Sequence, residues 1–95
     1  MKTTLIRYKT KPQSTDENER LIQAVFAELK ASAPTGVRYQ VTRLPDGSFN
    51  HLVEVEDGSN ALTALTAFKA FQEGVKDRCV EPPQAQTATL VGRYP

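Results

Sequence analysis

The stretch Val37 to Asp57, VRYQVTRLPDGSFNHLVEVED, reads as two β-strands joined at a Pro45-Asp46-Gly47 turn. Proline presets φ for the first central turn position, and glycine takes the positive φ that a three-residue loop with a bulge requires. Pairing Leu44 with Ser48 then sets Thr42 opposite Asn50, Gln40 opposite Leu52 and Arg38 opposite Glu54, because partners in an antiparallel ladder sum to a constant. One face of the hairpin carries Val37, Tyr39, Val41, Phe49, His51, Val53 and Val55. The other carries Arg38, Gln40, Thr42, Asn50, Leu52, Glu54 and Glu56. A two-residue loop would slip the register by one and mix Glu54 and Glu56 into the apolar set. The apolar face needs a cover, and the polar face is fit to be wet.

Upstream, residues 3 to 10 (TTLIRYKT) are rich in β-formers and alternate only loosely, which suits a first strand partly buried on both faces. Lys11-Pro12-Gln13 ends it. Ser14, Thr15 and Asp16 each offer an N-cap, and Leu21, Ile22, Val25, Phe26 and Leu29 then form one apolar stripe on a helix of about 18 residues. Ala33-Pro34-Thr35-Gly36 stops that helix before the hairpin, so its stripe can cover the hairpin's apolar face. Downstream, Asp57-Gly58-Ser59-Asn60 supplies a turn and a cap. The run ALTALTAFKAFQEGVKDRC, from Ala61 to Cys79, places Ala61, Leu62, Leu65, Phe68, Phe71 and Val75 at the spacing of a second helix, with Gly74 loosening its last turn. Glu81-Pro82-Pro83 forbids continuation, and Thr87 to Tyr94 (TATLVGRY) predicts the closing strand. The order β-α-β-β-α-β is the ferredoxin-like α+β arrangement, one four-stranded antiparallel sheet with both helices on one face.

Ninety-five residues make a single domain, 1–95, large enough to fold without staples. A hydrophobic fraction of 39%, a charged fraction of 24% and a net charge of +1 give no electrostatic reason to expect a nucleic-acid partner. Strands in this order also build RNA-recognition domains, but those stack bases on exposed aromatics. Here Tyr39 and Phe49 fall on the face assigned to the helices. The single Cys79 has no internal disulfide partner, and no apolar run suggests a signal peptide or membrane span. The expected setting is the cytoplasm, with no membrane partner.

His51 is the only histidine and lies mid-strand among apolar neighbours. It reads either as a packed, hydrogen-bonded core residue or as a proton-transfer candidate, the one catalytic candidate of the chain. Asn50 and Glu54 lie on the opposite face, so His51 and Glu54 should not pair within one strand. Tyr8, Tyr39 and Tyr94 offer hydroxyls to a phenolic ligand or pack with a wet tip. Phe68 and Phe71 are core or pocket wall. Arg38, Tyr39, Asn50, Glu54, Phe68 and Phe71 are the ligand-binding candidates. One histidine and one cysteine among scattered carboxylates make no metal-ligand spacing, and no phosphate loop or dinucleotide fingerprint is present, so no cofactor is expected. The polar sheet face is either solvated in a lone domain or enclosed between two copies, where Arg38, Gln40, Asn50 and Glu54 would need partners.

SFNHLVEVED, followed by NALTALTAFKAFQEGVKDRCVEPP, resembles the antibiotic-biosynthesis-monooxygenase-like proteins of the dimeric α+β barrel superfamily. The resemblance covers nearly the whole chain and contains no catalytic signature. It implies a homodimer whose two sheets form a barrel, with a pocket for a small molecule in each protomer. It also implies candidate activities: cofactor-independent oxygenation of a phenolic aromatic, non-catalytic metabolite binding, or lyase or cyclase chemistry. Oxygenases of the group often carry a tryptophan at the end of the third strand, where Glu56 stands here, and this chain has no tryptophan. The histidine that the haem-degrading branch uses on its second helix is also missing, so the resemblance does not extend to haem.

Overall fold

The computed structural model describes Met1 to Pro95. Its elements run β1 (Lys2–Thr10), α1 (Thr15–Ser32), β2 (Val37–Arg43), β3 (Ser48–Val55), α2 (Thr66–Gln72) and β4 (Cys79–Ala88), with single 3-10 turns at Pro12–Ser14 and Lys76–Arg78. All pairings are antiparallel, in the order β2-β3-β1-β4. This is the α+β, ferredoxin-like arrangement expected from the sequence, with one apolar sheet face under the helices.

The hairpin has the register the turn chemistry demands, with Arg38 opposite Glu54, Gln40 opposite Leu52 and Thr42 opposite Asn50. Leu44 N–H donates to Ser48 O at 2.8 Å, and Gly47 sits at φ +87°, closing the three-residue loop. Asp46 Oδ1 accepts from Ser48 N–H at 2.9 Å, which holds its carboxyl below the usual carboxylate range. The turn is also tied to the end of β1. Both the amide (3.0 Å) and the hydroxyl (2.9 Å) of Thr10 donate to Gly47 O, and a Cβ on residue 47 would lie 3.3 Å from Thr10 Oγ1.

α1 buries Ile22 and Val25 fully and Leu21, Phe26 and Leu29 in part, so the expected stripe does cover the sheet. Its start differs from expectation, because Ser14 is the N-cap residue but makes no side-chain cap bond. Thr15 turns inward instead, its hydroxyl 2.8 Å from Thr10 Oγ1 and donating to Lys11 O at 3.1 Å.

Two boundaries differ from the sequence reading. The second helix does not begin at Ala61. Residues 61–64 form a turn, Leu65 is extended (ψ 135°), and α2 starts only at Thr66. Glu28 of α1 causes the restart: its carboxylate accepts from the Thr66 and Ala67 amides at 3.3 and 2.8 Å, satisfying two donors that open a helix. Leu62 and Leu65 stay buried all the same. The closing strand is Cys79–Ala88 rather than Thr87–Tyr94. Pro82 and Pro83 lie inside it because β4 is an edge strand, and the register shift between Arg7 and Lys9 absorbs the missing donors. Residues after Ala88 form no strand, and the Arg93 guanidinium bonds Glu54 on the open sheet face.

The core joins Tyr8, Ile22, Val25, Phe49, Leu62, Leu65, Phe68, Phe71 and Cys79. No helix is long and apolar enough to cross a membrane.

A buried tyrosine–histidine chain as candidate functional site

Every second residue of a strand faces the helices, which brings Tyr8 of β1, Tyr39 of β2 and His51 of β3 together. Tyr8 Oη lies 2.7 Å from His51 Nε2, and Tyr39 Oη lies 2.6 Å from His51 Nδ1. The chain continues inward. Asn18 of α1 donates through Nδ2 to Tyr8 Oη at 2.8 Å, and Arg78 donates through Nε to Asn18 Oδ1 at 3.0 Å. Arg78 is anchored in turn by Phe71 O at 2.7 Å and lies 5.4 Å over the Phe71 ring.

Aromatic rings enclose this line. Phe49 stacks on Tyr8 at 5.5 Å, Phe71 lies 5.4 Å from His51, and Phe26 stacks on Tyr39 at 5.0 Å. Burial pushes the His51 imidazole down to about 4, so it is neutral at pH 7. Burial also raises both tyrosines, Tyr8 against the opposing effect of the Asn18 hydrogen bond, so both stay protonated. His51 is 2% exposed, and both of its ring nitrogens are taken by protein. Of its two tyrosine partners, Tyr39 is the more exposed, while Tyr8 is 4% exposed at the edge of a hollow with Arg7, Ser48 and Gln84.

Tyr39 is half-buried and forms one wall of a groove of about 230 Å³ with Phe26, Leu29, Ala33, Pro34 and Val37, with Lys30 also on the wall. Phe68 and Phe71 lie behind the chain in the core and line no part of this groove. Arg38 and Glu54 occupy the opposite sheet face, in a hollow of about 500 Å³ shared with Thr3, Leu90 and Arg93. Glu54 is buried there and its ion pair is with Arg93; no ion pair joins it to Arg38, its partner in register. Asn50 sits on that open face opposite Arg7 and Thr42, away from both hollows. Of the residues the sequence singles out, then, Tyr8, Tyr39 and His51 belong to the hydrogen-bonded chain, and the side chains of Arg38, Asn50, Glu54, Phe68, Phe71 and Tyr94 do not.

Asn18 and Arg78 escaped the sequence reading. For Asn18 a signal existed, since it stands four residues before Ile22 and seven before Val25, on the apolar stripe. Arg78 carried none, because its approach depends on the backbone reversal at Gly74, φ +82°. No group of three or more histidine, cysteine or carboxylate side chains is placed to hold a metal ion.

A four-stranded antiparallel sheet ordered β2-β3-β1-β4, with two helices on one face, defines the class: a ferredoxin-like α+β protein. Neither a family model nor a curated relative matches the chain by sequence. Solved structures do match by fold. Several are named "putative antibiotic biosynthesis monooxygenase". The one from Caulobacter crescentus CB15 has a TM-score of 0.75 and 22% identity, over 96% of this chain and 90% of that one. The one from Nitrosomonas europaea has a TM-score of 0.78 and 13% identity, over 97% and 100%. A protein of unknown function from the same organism superposes with a TM-score of 0.71 at 15% identity, over 98% and 92%. The likeness is one of fold, that of the antibiotic-biosynthesis-monooxygenase-like structures.

Proposed function

We propose that this chain binds a small, largely apolar aromatic compound in the groove beside Tyr39, with the Tyr39 hydroxyl donating to a phenolic or carbonyl oxygen of the ligand. The carrying observation is the Tyr39 side chain itself: its ring lines an apolar groove while its hydroxyl is bonded from behind by His51. A phenol held neutral by burial is a donor, and that suits recognition of an oxygen acceptor. His51 backs Tyr39 and does not touch the ligand.

The protein works as a cytoplasmic homodimer in this reading. Leu5 and Leu52, paired across the open sheet face and both half-buried, support association through that face, as do the exposed Leu90 and Val91. The lone, buried Cys79 supports a reducing compartment.

A second reading, cofactor-independent oxygenation, is supported by the fold neighbours named as monooxygenases. An anthrone-type ligand would react as its anion, its oxygen held by Tyr39. One atom of dioxygen enters the ring carbon as the quinone oxygen, and the other leaves as water with the two ring hydrogens. Oxygen uptake with anthrone separates this reading from binding alone.

The test of binding uses 2-naphthol as a fluorescent probe. Saturable binding at one probe per chain, weakened about 5- to 10-fold in Tyr39→Phe, is expected for the loss of one hydrogen bond of ~1 kcal/mol. Naphthol binding that is unchanged by the substitution removes Tyr39 from the site.

A further inference from the structure

We propose that Asn18 and Arg78 are positioning residues that set the direction of the whole hydrogen-bond chain, so that Tyr39 presents its proton to the groove. The argument is one of donors and acceptors. A guanidinium has no acceptor, so Arg78 Nε must donate and Asn18 must turn Oδ1 toward it. That choice leaves Asn18 Nδ2 facing Tyr8, where it donates. Tyr8 Oη thereby has an acceptor position filled, and its own proton has one destination among its partners, His51 Nε2. A neutral imidazole that accepts at Nε2 carries its proton on Nδ1, which donates to Tyr39 Oη. Among the hydroxyl and imidazole protons of the chain, that of Tyr39 is then the one with no acceptor inside the protein, and Tyr39 lines the groove.

The opposite direction strands a proton in the core. With Nε2 protonated, Tyr8 Oη would accept twice and its proton would face no acceptor at a residue 4% exposed, a buried unpaired donor. The chain as built places the unpaired donor where a ligand or water can reach it.

His51 is the only histidine, so one spectrum reports its tautomer without assignment. In protein labelled with 15N-histidine, a two-bond proton–nitrogen correlation at pH 7.5 should show Nδ1 protonated and Nε2 bare. Asn18→Asp, nearly isosteric, offers Tyr8 a carboxylate acceptor, so the Tyr8 proton turns to residue 18 and the chain reverses. The expected spectrum then has Nε2 protonated. Asn18→Ala, the second variant, removes the bias and should give signals averaged between the two forms. Wild-type protein with Nε2 protonated overturns the proposal without any variant, as does Asn18→Asp retaining the Nδ1 proton.

The functional consequence rests on the groove reading, and the two can fail separately. In Asn18→Asp the Tyr39 proton points inward, so 2-acetylnaphthalene, which offers only an acceptor oxygen, should bind about 5- to 10-fold more weakly, as it should in Tyr39→Phe. A reversed tautomer with unchanged 2-acetylnaphthalene affinity supports the positioning role and counts against the groove.

Discussion

Asn18 illustrates how one residue can be read two ways. In the sequence it is a polar residue next to possible helix caps; in the fold its side chain is completely buried and joins a cation to a phenol. A buried amide is tolerated when its groups are bonded, and here its Oδ1 and Nδ2 are each taken by a side chain from a different element. Another residue-level feature is Ala33, which ends α1 in the left-handed region at φ 46° and donates its amide to Leu29 O at 2.7 Å. An L side chain is strained there, and glycine is not. Ala33→Gly should therefore stabilise the protein by roughly 1 kcal/mol, read as a rise in Tm of about 4–8 °C in thermal unfolding. Unchanged Tm would mean that the added unfolded-state entropy of glycine offsets the relief.

Among the elements, α1 does most to place the site. It supplies Asn18 to the chain, Ile22 and Val25 to the core, Phe26 and Leu29 to the groove, and Glu28 to the start of α2. Ile22→Ala should cost about 3 kcal/mol, because a nearly fully buried side chain leaves a cavity that a close-packed core fills only in part. Urea unfolding at pH 7.5 checks this, and a loss under 1 kcal/mol would show that the helix settles into the gap. Periodicity alone could not bound α2, since Leu62 and Leu65 are apolar and buried whether the backbone there is helical or not. Two prolines argue against a strand in general, which is why the sequence points to Thr87–Tyr94 while β4 is Cys79–Ala88. At a sheet edge they remove donors that have no neighbour to pair with.

For the molecule as a whole, the buried neutral histidine sets a pH dependence. The His51 imidazole is held down at about 4 in the fold, against 6.5 when unfolded. Above pH 6.5 neither state carries the proton and nothing is lost. As pH falls from 6.5 to 4 the unfolded chain takes up a proton that the folded one refuses, so stability falls with pH, and below 4 this contribution levels off. From pH 7 to pH 5 the loss should be about 2 kcal/mol, measurable by urea unfolding at the two values. In His51→Gln that slope should vanish over the same interval, and a variant retaining it would place the titration elsewhere.

Local chemistry accounts for the features that can be read along the chain. The Pro45-Asp46-Gly47 turn admits one register, and that register assigned His51 and Tyr39 to the helix side and Arg38, Asn50 and Glu54 to the other. The α1 stripe and the β-α-β-β-α-β order follow from periods of 3.6 and 2 that any reader of the chain can count. The meetings between elements depend instead on packing: Arg78 with Asn18, Glu28 with the start of α2, Arg93 rather than Arg38 with Glu54. Those partners lie 60, 39 and 39 residues apart. No local period links them, and which donor reaches which acceptor is settled by how the helices and the chain's end pack on the sheet.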